Sequence, residues 1–349
     1  MNLFTPLRLR DLELKNRIFV SPMCEYSAEN GHPNAWHMVH LGSRAVGGSA
    51  LVLTEATAVQ AIGRISPADT GIYLDSHADA WKPIAEFIRS QGAVAGIQLA
   101  HAGRKASTAA PWLGGKANDG GWTPVAPSAA AFSEGYPCPK ELTATEIDQI
   151  VSDFQAAAQR ALRAGFQVVE IHAAHGYLLH EFYSPLSNSR ADDYGGSFDN
   201  RVRLLLRVVN AVRSVWPQSL PVFVRISATD WKEGGWDLRQ SVELCRRLKD
   251  AGVDLVDVSS GGNVAGVSIP VGPGYQVEFA SAIRHEAKMA TGAVGMITDP
   301  AQAETILRTG QADAVFLARE LLRDPYWPRR AAQELGVKIK APVQYERAW

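Results

Sequence analysis

The sequence has 349 residues, a length that single α/β barrels with insertions commonly reach, so one large domain over 1–349 is the expected organisation. Lys and Arg total 35, Asp and Glu total 36, and the formal net charge at pH 7 is -1. This balance argues against a nucleic-acid-binding surface, which normally shows a basic excess, and favours a small-molecule substrate.

Eight short runs along the chain predict β-strands. Nearly all are apolar throughout rather than alternating, as strands buried on both faces should be. In chain order the runs are RIFVSPM (17–23), ALVLTEAT (50–57), VAGIQLAHAG (94–103), VVEIHAA (168–174), PVFVRIS (221–227), LVDVSSG (255–261), TGAVGMI (291–297) and AVFLARE (314–320).

Helical stretches lie between these runs and carry recognisable ends. The clearest are 143–165, 197–217, 237–252 and 299–310. Thr143 opens the first with a Thr-x-x-Glu capping pattern and Gly165 ends it, while Pro217 stops the second. The third begins at an Asp N-cap and ends at a Gly, and the fourth repeats this scheme in short form.

The alternation of strands and helices predicts a closed (β/α)8 TIM barrel, in the α/β class. A doubly wound open sheet is the alternative, and it is disfavoured because no Gly-x-Gly-x-x-Gly follows the first strand. The segment 104–142 follows the third strand and is rich in Gly, Pro and Ala. We expect it to form a loop or subdomain over the active face of the barrel.

Cysteine usage and the N-terminus bear on the cellular compartment. Cys24, Cys138 and Cys245 are far apart and lack Cys-x-x-Cys spacing, so no disulfide framework or zinc cluster is predicted. Charged residues interrupt every apolar run of the N-terminal stretch 1–17, and no signal peptide or membrane span is predicted there or later. We therefore expect a cytoplasmic protein.

Polar residues at the carboxyl ends of the predicted strands are candidates for the active site, because barrel enzymes build their sites there. Gln98 could instead make a hydrogen bond to a neighbouring strand, and Arg225 could form a buried ion pair with Glu55 or Glu170. At the mouth of the barrel, Arg225 could also meet an anionic ligand or an electron-rich ring.

Gly295 and Arg319 follow strands seven and eight, where barrels often bind phosphate on backbone amides. The alternative for this pair is an ordinary turn glycine and a solvated arginine.

The stretch VVEIHAAHGYLLHEFYSP (168–185) is the richest in chemistry. His172, His175 and Tyr177 could bind a metal, hold a substrate oxygen, or cap a core strand. A metal site wants three or four ligands, and no carboxylate or thiolate companion is placed with the pair. Two imidazoles and a phenol form a donor set suited to polarising a carbonyl and delivering a proton.

Five motifs occur in a fixed order: SPMCEY (21–26), EATAV (55–59), IQLAHAGRKA (97–106), IHAAHGYLLHEFYSPLSNSRADDYGGSFDNR (171–201) and PVQYERAW (342–349). In these motifs the chain resembles the Old Yellow Enzyme family of FMN-dependent ene-reductases, over essentially its whole length. The long fourth motif is highly specific. Cys24 and the terminal QYERAW resemble the thermophilic-like, bacterial branch.

The resemblance implies a (β/α)8 barrel that binds FMN tightly but non-covalently and takes hydride from NADPH or NADH. In this family the loop after the first strand lines the flavin ring, and Cys24 would lie near its N5/C4 edge. Arg225 would lie beside N1/C2, where a positive charge stabilises the anionic reduced flavin. The implied flavin ring contacts are Ser21, Pro22, Met23, Cys24, Ala56, Gln98 and Arg225, and the implied phosphate contacts are Gly295, Met296, Ala318 and Arg319.

The resemblance also implies the substrate side of the site. His172 and His175 would bind the oxygen of an enone or nitro compound, Tyr26 would contact the substrate, and Tyr177 would donate a proton. Nitro-esters, nitroaromatics and quinones fit the same oxygen-binding pair. The expected reaction is ping-pong hydride transfer through flavin N5 to an activated C=C bond, as in xenobiotic reduction.

Arg347 matches an arginine that, in this branch, reaches into a neighbouring subunit's active site. The C-terminal tail 338–349 is therefore expected at the interface of a homodimer or dimer of dimers. The alternative is a disordered tail charge, since chain ends fray. Tyr345 and Trp349 flank the arginine and favour an interface, where aromatic residues are enriched.

Two positions depart from the family pattern. Many relatives have Gly-Arg where this chain has Ala318-Arg319, and a backbone amide is kept either way. The second histidine of the pair is Asn in other branches. Competing interpretations are a metal-dependent barrel hydrolase that uses the His pair, a flavin-binding protein without turnover, and an FMN barrel acting on tRNA, which the neutral charge disfavours.

Overall fold

Eight parallel strands close into a barrel in the computed structural model, which describes residues 1–117 and 120–349. The strands are β1 (Ile18–Val20), β2 (Leu51–Ala58), β3 (Val94–Ala100), β4 (Val168–Ala173), β5 (Val222–Ser227), β6 (Leu255–Ser259), β7 (Ala290–Ala293) and β8 (Ala314–Leu317). Each strand pairs with the next in the chain, and β8 pairs with β1 to close the ring. Each coincides with one of the eight predicted runs, so the predicted (β/α)8 TIM barrel is confirmed.

Helices follow the strands and surround the barrel. In the described part of the chain they are α1 (Ala35–Val46), α2 (Asp75–Ser90), α3 (Ala144–Arg163), α4 (Leu178–Tyr183), α5 (Phe198–Val215), α6 (Leu238–Asp250), α7 (Val277–Glu286), α8 (Pro300–Arg308), α9 (Arg319–Arg323) and α10 (Trp327–Glu334). None of the helices in these ranges is long and apolar enough to cross a membrane.

The four helices predicted from their ends are confirmed as α3, α5, α6 and α8. Thr143 caps α3 in a reciprocal capping box with Glu146. The side chains of Ser197, Asp237 and Asp299 accept hydrogen bonds from the first turns of the other three. These caps satisfy backbone N–H groups that have no partner inside the helix.

The amino-terminal end of the barrel is closed by a hairpin. Its strands, Leu7–Leu9 and Leu12–Leu14, pair antiparallel, and Leu14 is fully buried. Leu9 and Leu14 pack in one cluster with residues at the starts of the barrel strands, such as Phe19 and Phe223. Ligand access is therefore confined to the opposite, carboxyl end of the strands.

The predicted excursion 104–142 includes Asn118 and Asp119, which lie outside the described residues. The described part contains two short strands, Val125–Ala126 and Lys140–Glu141, which pair in parallel. Trp122 donates from Nε1 to the carbonyl of Ile62, 2.7 Å away, in the loop after β2. This contact brings the segment beside the carboxyl end of the barrel.

Candidate active site

The loop after β1 is held in place by hydrogen bonds to β8 at its start and to β2 at its end. The Ser21 N–H donates to the Leu317 carbonyl of β8 at 3.0 Å. The Glu25 N–H donates to Oε2 of Glu55 on β2 at 3.0 Å, and Nε2 of His37 lies 2.9 Å from the other carboxylate oxygen. The predicted flavin contacts Pro22, Met23 and Cys24 lie between these two anchors, so their backbone is held at the mouth of the barrel.

A cavity of about 520 Å³ opens at the carboxyl ends of β5 to β8. Its lining includes the predicted cofactor residues Arg225, Gly295, Met296, Ala318 and Arg319. Ser259, Tyr275, Gln276 and Arg323 also line it and were not among the predicted site residues. Strand ends that are 24 to 90 residues apart in the chain (from Ser227 to Leu317) thus meet at one ligand-sized space, as expected for the active end of a barrel.

Gly295 has a backbone that a larger residue could not adopt. Its φ is +122°, and an added Cβ would lie 2.9 Å from Nε2 of Gln276 and 3.0 Å from the ring of Tyr275. Gln276 is itself fixed, because its Nε2 donates to the Val294 carbonyl at 3.1 Å. The chain therefore keeps its backbone against the cavity wall at this point.

The cavity suits a phosphate ester that carries a polar ring. Three guanidinium groups line it, those of Arg225, Arg319 and Arg323, and guanidinium groups bind phosphate well. Of these, Arg323 is also 2.6 Å from a Glu320 carboxylate oxygen. The residues present therefore fit FMN: backbone and arginine at one side for the phosphate, and the inner Arg225 for the ring.

Arg225 forms the ion pair that the sequence raised as an alternative, but with a different partner. Its Nε lies 3.1 Å from Oδ2 of Asp257, the residue beside it on β6, and it forms no ion pair with Glu55 or Glu170. The suggested partners were wrong because cross-strand register decides the pairing, and the sequence does not show it. Arg225 and Asp257 are both buried, yet this contact does not have hydrogen-bond geometry.

Gln98 makes the hydrogen bond to a neighbouring strand that was its alternative reading. Its Nε2 donates to Oε1 of Glu170 on β4 at 2.8 Å. Ala56 pairs in register with Gln98, and Gln98 pairs with Glu170. The predicted ring contacts from β2 and β3 therefore lie side by side, and the bond to Glu170 fixes the Gln98 amide.

His172, His175 and Tyr177 form one aromatic cluster. The His172 ring centroid lies 5.2 Å from that of His175 and 5.1 Å from that of Tyr177, both edge-to-face. Burial lowers the pKa of both histidines, and the charge of Arg225 lowers it further. Both imidazoles are therefore neutral at neutral pH. Among the residues that the structure describes, no group of three or more His, Cys, Asp or Glu side chains could hold a metal ion.

His175 links this cluster to the cavity. Its Nε2 lies 2.7 Å from Oγ of Ser259, which lines the cavity, and its N–H donates to Oγ of Ser227. His175 also has a φ of +58°. His172 pairs in register with Arg225 on β5. The donor cluster and the arginine-lined cavity are thus adjacent parts of one site.

Lys105 is a site residue that the sequence reasoning missed. Its Nζ donates to the carbonyls of His175 and Gly262 at 2.8 and 2.9 Å, and it lies 5.2 Å from the centre of the Tyr177 ring. Burial lowers the pKa of Lys105 to about 8. The only signal in the sequence was the basic pair in IQLAHAGRKA. Its partners are backbone carbonyls, which no motif reveals.

Cys24 and Tyr26 meet Tyr177 in a small apolar cluster. They pack with Tyr177 against a small cluster of Ile65, Ala102 and Ala106. Burial raises the pKa of the Cys24 thiol, which is therefore protonated at neutral pH. Tyr26 lies edge-to-face with Trp112, with ring centroids 5.6 Å apart.

Arg347 is the predicted site residue that this single chain does not bring to the site. It lies in a 3-10 turn, Glu346–Ala348, is exposed, and lines neither the cavity nor the Tyr177 cluster. The tail folds back on the chain, where Trp349 stacks on Tyr326 with ring centroids 6.4 Å apart.

Comparison with known proteins gives a consistent result. The sequence profile of the NADH:flavin oxidoreductase / NADH oxidase family matches residues 2–337. The chain is 52% identical over 349 residues to an NADPH dehydrogenase of Geobacillus sp. (strain WCH70), covering 99% of this chain and 98% of that protein. It is 49% identical to an NADPH dehydrogenase of Bacillus subtilis (strain 168), covering 99% of each.

Solved structures resemble the barrel closely. Morphinone reductase in complex with tetrahydroNAD superposes with a TM-score of 0.81 at 28% identity, covering 99% of this chain and 94% of that one. The Old Yellow Enzyme homologue from Zymomonas mobilis superposes with a TM-score of 0.79 at 27% identity, covering 99% and 96%.

Proposed function

The chain belongs to the NADH:flavin oxidoreductase / NADH oxidase family, and on that premise we propose that it reduces the activated C=C bond of α,β-unsaturated carbonyl and nitro compounds. It is an FMN-dependent oxidoreductase of the Old Yellow Enzyme type that uses NADPH or NADH. The observation that carries the proposal is the His172, His175 and Tyr177 cluster, joined to the cavity through the contact of His175 with Ser259.

The cofactor would be held by the residues of the cavity and of the loops around it. Gly295, Met296, Ala318 and Arg319 would hold the phosphate. The loop of Ser21, Pro22, Met23 and Cys24, with Ala56, Gln98 and Arg225, would hold the ring. When bound, FMN supplies an N5 position that accepts hydride from the nicotinamide and passes it to the substrate. The two substrates would use the same space in turn, which is the ping-pong order.

The two histidines would bind the substrate oxygen. A carbonyl or nitro oxygen gains negative charge as the β-carbon accepts hydride, and hydrogen-bond donors stabilise that charge more in the transition state than in the ground state. Both imidazoles are neutral, so each has one N–H to donate. Nδ1 of His172 is buried without a protein partner, which leaves it free for this role.

Tyr177 would deliver the proton to the α-carbon. Burial raises the pKa of its phenol, so the proton is present across the neutral range. Tyr26, on the loop after β1, would contact the substrate beside it. Enones, nitro-esters, nitroaromatics and quinones all present an oxygen that suits the pair of histidines.

We propose that the tail 338–349 lies at a subunit interface of a homodimer or dimer of dimers, with Arg347 entering the neighbour's site. Val343, Tyr345 and Trp349 are 72%, 44% and 53% exposed, which is a high apolar exposure for twelve residues of tail. Apolar and aromatic residues of this kind are typical of interfaces.

The experiment that tests the proposal is Tyr177→Phe, with the two half-reactions followed separately by stopped flow. We expect FMN reduction by NADPH to be unchanged and enone reduction to fall by roughly 10²–10⁴-fold, the usual contribution of a general acid. Enone reduction at the native rate, with FMN bound, would refute the assigned proton-donor role.

A further inference from the structure

Four polar side chains meet inside the barrel, on four adjacent strands. They are Gln98 (β3), Glu170 (β4), Arg225 (β5) and Asp257 (β6), and they are 1%, 0%, 6% and 0% exposed. Register pairs Gln98 with Glu170, and Arg225 with Asp257. The reaction proposed above uses Gln98 and Arg225 and gives no role to either carboxyl group.

The charges of this cluster do not balance if both acids are ionised. One guanidinium would then face two carboxylates, which leaves one uncompensated negative charge in the barrel interior. An unpaired buried charge costs several kcal/mol, and a carboxyl group avoids that cost by keeping its proton. The cluster is neutral when it holds one proton.

Glu170 is the acid that keeps the proton. Asp257 lies against Arg225 at 3.1 Å, whereas Glu170 meets the neutral amide of Gln98. Oε2 of Glu170 has no hydrogen-bond partner, and both oxygens of Asp257 also lack one. A proton on Glu170 turns one of these unpaired acceptors into a donor.

The electrostatics agree with this assignment. Burial, and after it the negative charge of Asp257, raise the pKa of Glu170 to about 8, against the opposing effects of Arg225 and of the hydrogen bond from Gln98. The pKa of Asp257 is raised less, also by burial. His172, two residues along β4, and His175 are also titratable groups of this part of the barrel, and both are neutral.

We propose that Glu170 holds a proton and so keeps the Arg225 charge available to the adjacent flavin, and that at alkaline pH, where Glu170 is ionised beside the oxidised flavin, it takes up this proton when the flavin is reduced. The inference rests on the proposed function in one respect, the placement of the flavin ring beside Gln98 and Arg225. Glu170 acts through these two residues and is a positioning residue rather than a catalytic one.

The proton balance follows from the charge of the reduced flavin. At neutral pH Glu170 already carries its proton, and reduction is FMN + 2e⁻ + H⁺ → FMNH⁻. At alkaline pH Glu170 is ionised while the flavin is oxidised. The anionic charge gained on reduction then raises its proton affinity, and the reaction becomes FMN + Glu170-COO⁻ + 2e⁻ + 2H⁺ → FMNH⁻ + Glu170-COOH.

The test is a spectroelectrochemical titration of the FMN-loaded protein at a series of pH values. One proton per two electrons makes the midpoint potential fall by ~30 mV per pH unit, and two protons make it fall by ~60 mV. We expect the native protein to follow the shallow slope at neutral pH and the steep one above pH ~8. A proton on the flavin itself would steepen the acid side instead.

Glu170→Gln is the decisive variant, because it keeps the side-chain shape and an acceptor for Gln98 but does not titrate. We expect it to keep the shallow slope throughout. Glu181→Gln is the matched control: Glu181 is also fully buried, burial raises its pKa to about 8, and it lies by Arg104 rather than Arg225. This control should keep the break of the native protein, that is, the change from the shallow to the steep slope in the plot of midpoint potential against pH.

If the midpoint potential of the native protein does not fall more steeply with pH in the alkaline range, the proposal is overturned. A break that persists in Glu170→Gln, or disappears in Glu181→Gln, would also overturn it. If Glu170→Gln does not fold, Asp257→Asn decides, because loss of that negative charge should move the break to lower pH. An unmoved break in that variant would refute the role of Glu170. None of these readouts depends on enone turnover, so a failure of the proposed function is seen separately.

Discussion

Replacing Gly295 with alanine should weaken FMN binding without unfolding the barrel. A residue with a side chain is strained at φ +122°, and its Cβ would lie 2.9 Å from Gln276 and 3.0 Å from Tyr275. Contacts this short require the neighbours to shift, and Gln276 is held by its bonds to Val294 and Ser260. The loop after β7 can relieve the strain only by leaving its place at the cavity wall.

The size of the effect follows from the strain. A backbone in such a region costs of order 1–3 kcal/mol for a residue other than glycine. The apoprotein loop can relax, whereas the FMN-bound loop has to return to the strained position, so this cost appears in the binding free energy. We therefore expect a Kd for FMN raised by roughly 5–150-fold, measured by quenching of flavin fluorescence.

Gly336→Ala provides the matched control. Gly336 also has a positive φ, of +68°, but no atom lies within 4 Å of an added Cβ, and it lies outside the cavity. It should lose about 1 kcal/mol of unfolding free energy and keep native FMN affinity. A native FMN affinity in Gly295→Ala would refute the role assigned to the Gly295 backbone at the cavity wall, and an equal loss in both variants would show that general destabilisation is the cause.

Two further predictions concern pH and assembly. Glu181 keeps its proton in the folded state, because burial raises its pKa to about 8, and releases it on unfolding, so the unfolding free energy should fall as pH rises from about 4.5 towards 8. Urea titrations should show Glu181→Gln reducing that slope by up to about 1.4 kcal/mol per pH unit, whereas the exposed Glu233→Gln should leave it as in the native protein. Co-expression of Arg347→Ala with His172→Ala subunits should restore enone reduction that each variant lacks alone, because the hybrid contains one site with both residues intact. Activity no higher than the sum of the separate variants would contradict a shared site.

The barrel could be predicted because its strands lie in continuous apolar runs and its best-defined helices carry explicit caps. His180, Phe182 and Tyr183, in the stretch after β4, are completely buried in α4. His180 is fixed there by Asp230 at 2.8 Å. These features depend on the local sequence and on the fold class, and both can be inferred from a single amino-acid sequence.

The partners within the site could not be predicted in the same way. Asp257 stands in the middle of an apolar run, and only the register of β5 and β6 places it against Arg225. Lys105 is held by two backbone carbonyls from other loops. Arg347 lies away from the cavity in the single chain. Strand register and loop contacts are set by tertiary structure, so residue patterns indicate which side chains belong to the site but not what they contact.

The proposed function requires that FMN bound in this barrel passes hydride from NADPH to an enone. The most direct measurement adds NADPH to the FMN-loaded protein without oxygen and then adds cyclohexenone. We predict that NADPH bleaches the flavin absorbance, and that cyclohexenone restores it with formation of cyclohexanone. A flavin that NADPH leaves oxidised, or that stays bleached when cyclohexenone is added, would contradict the account.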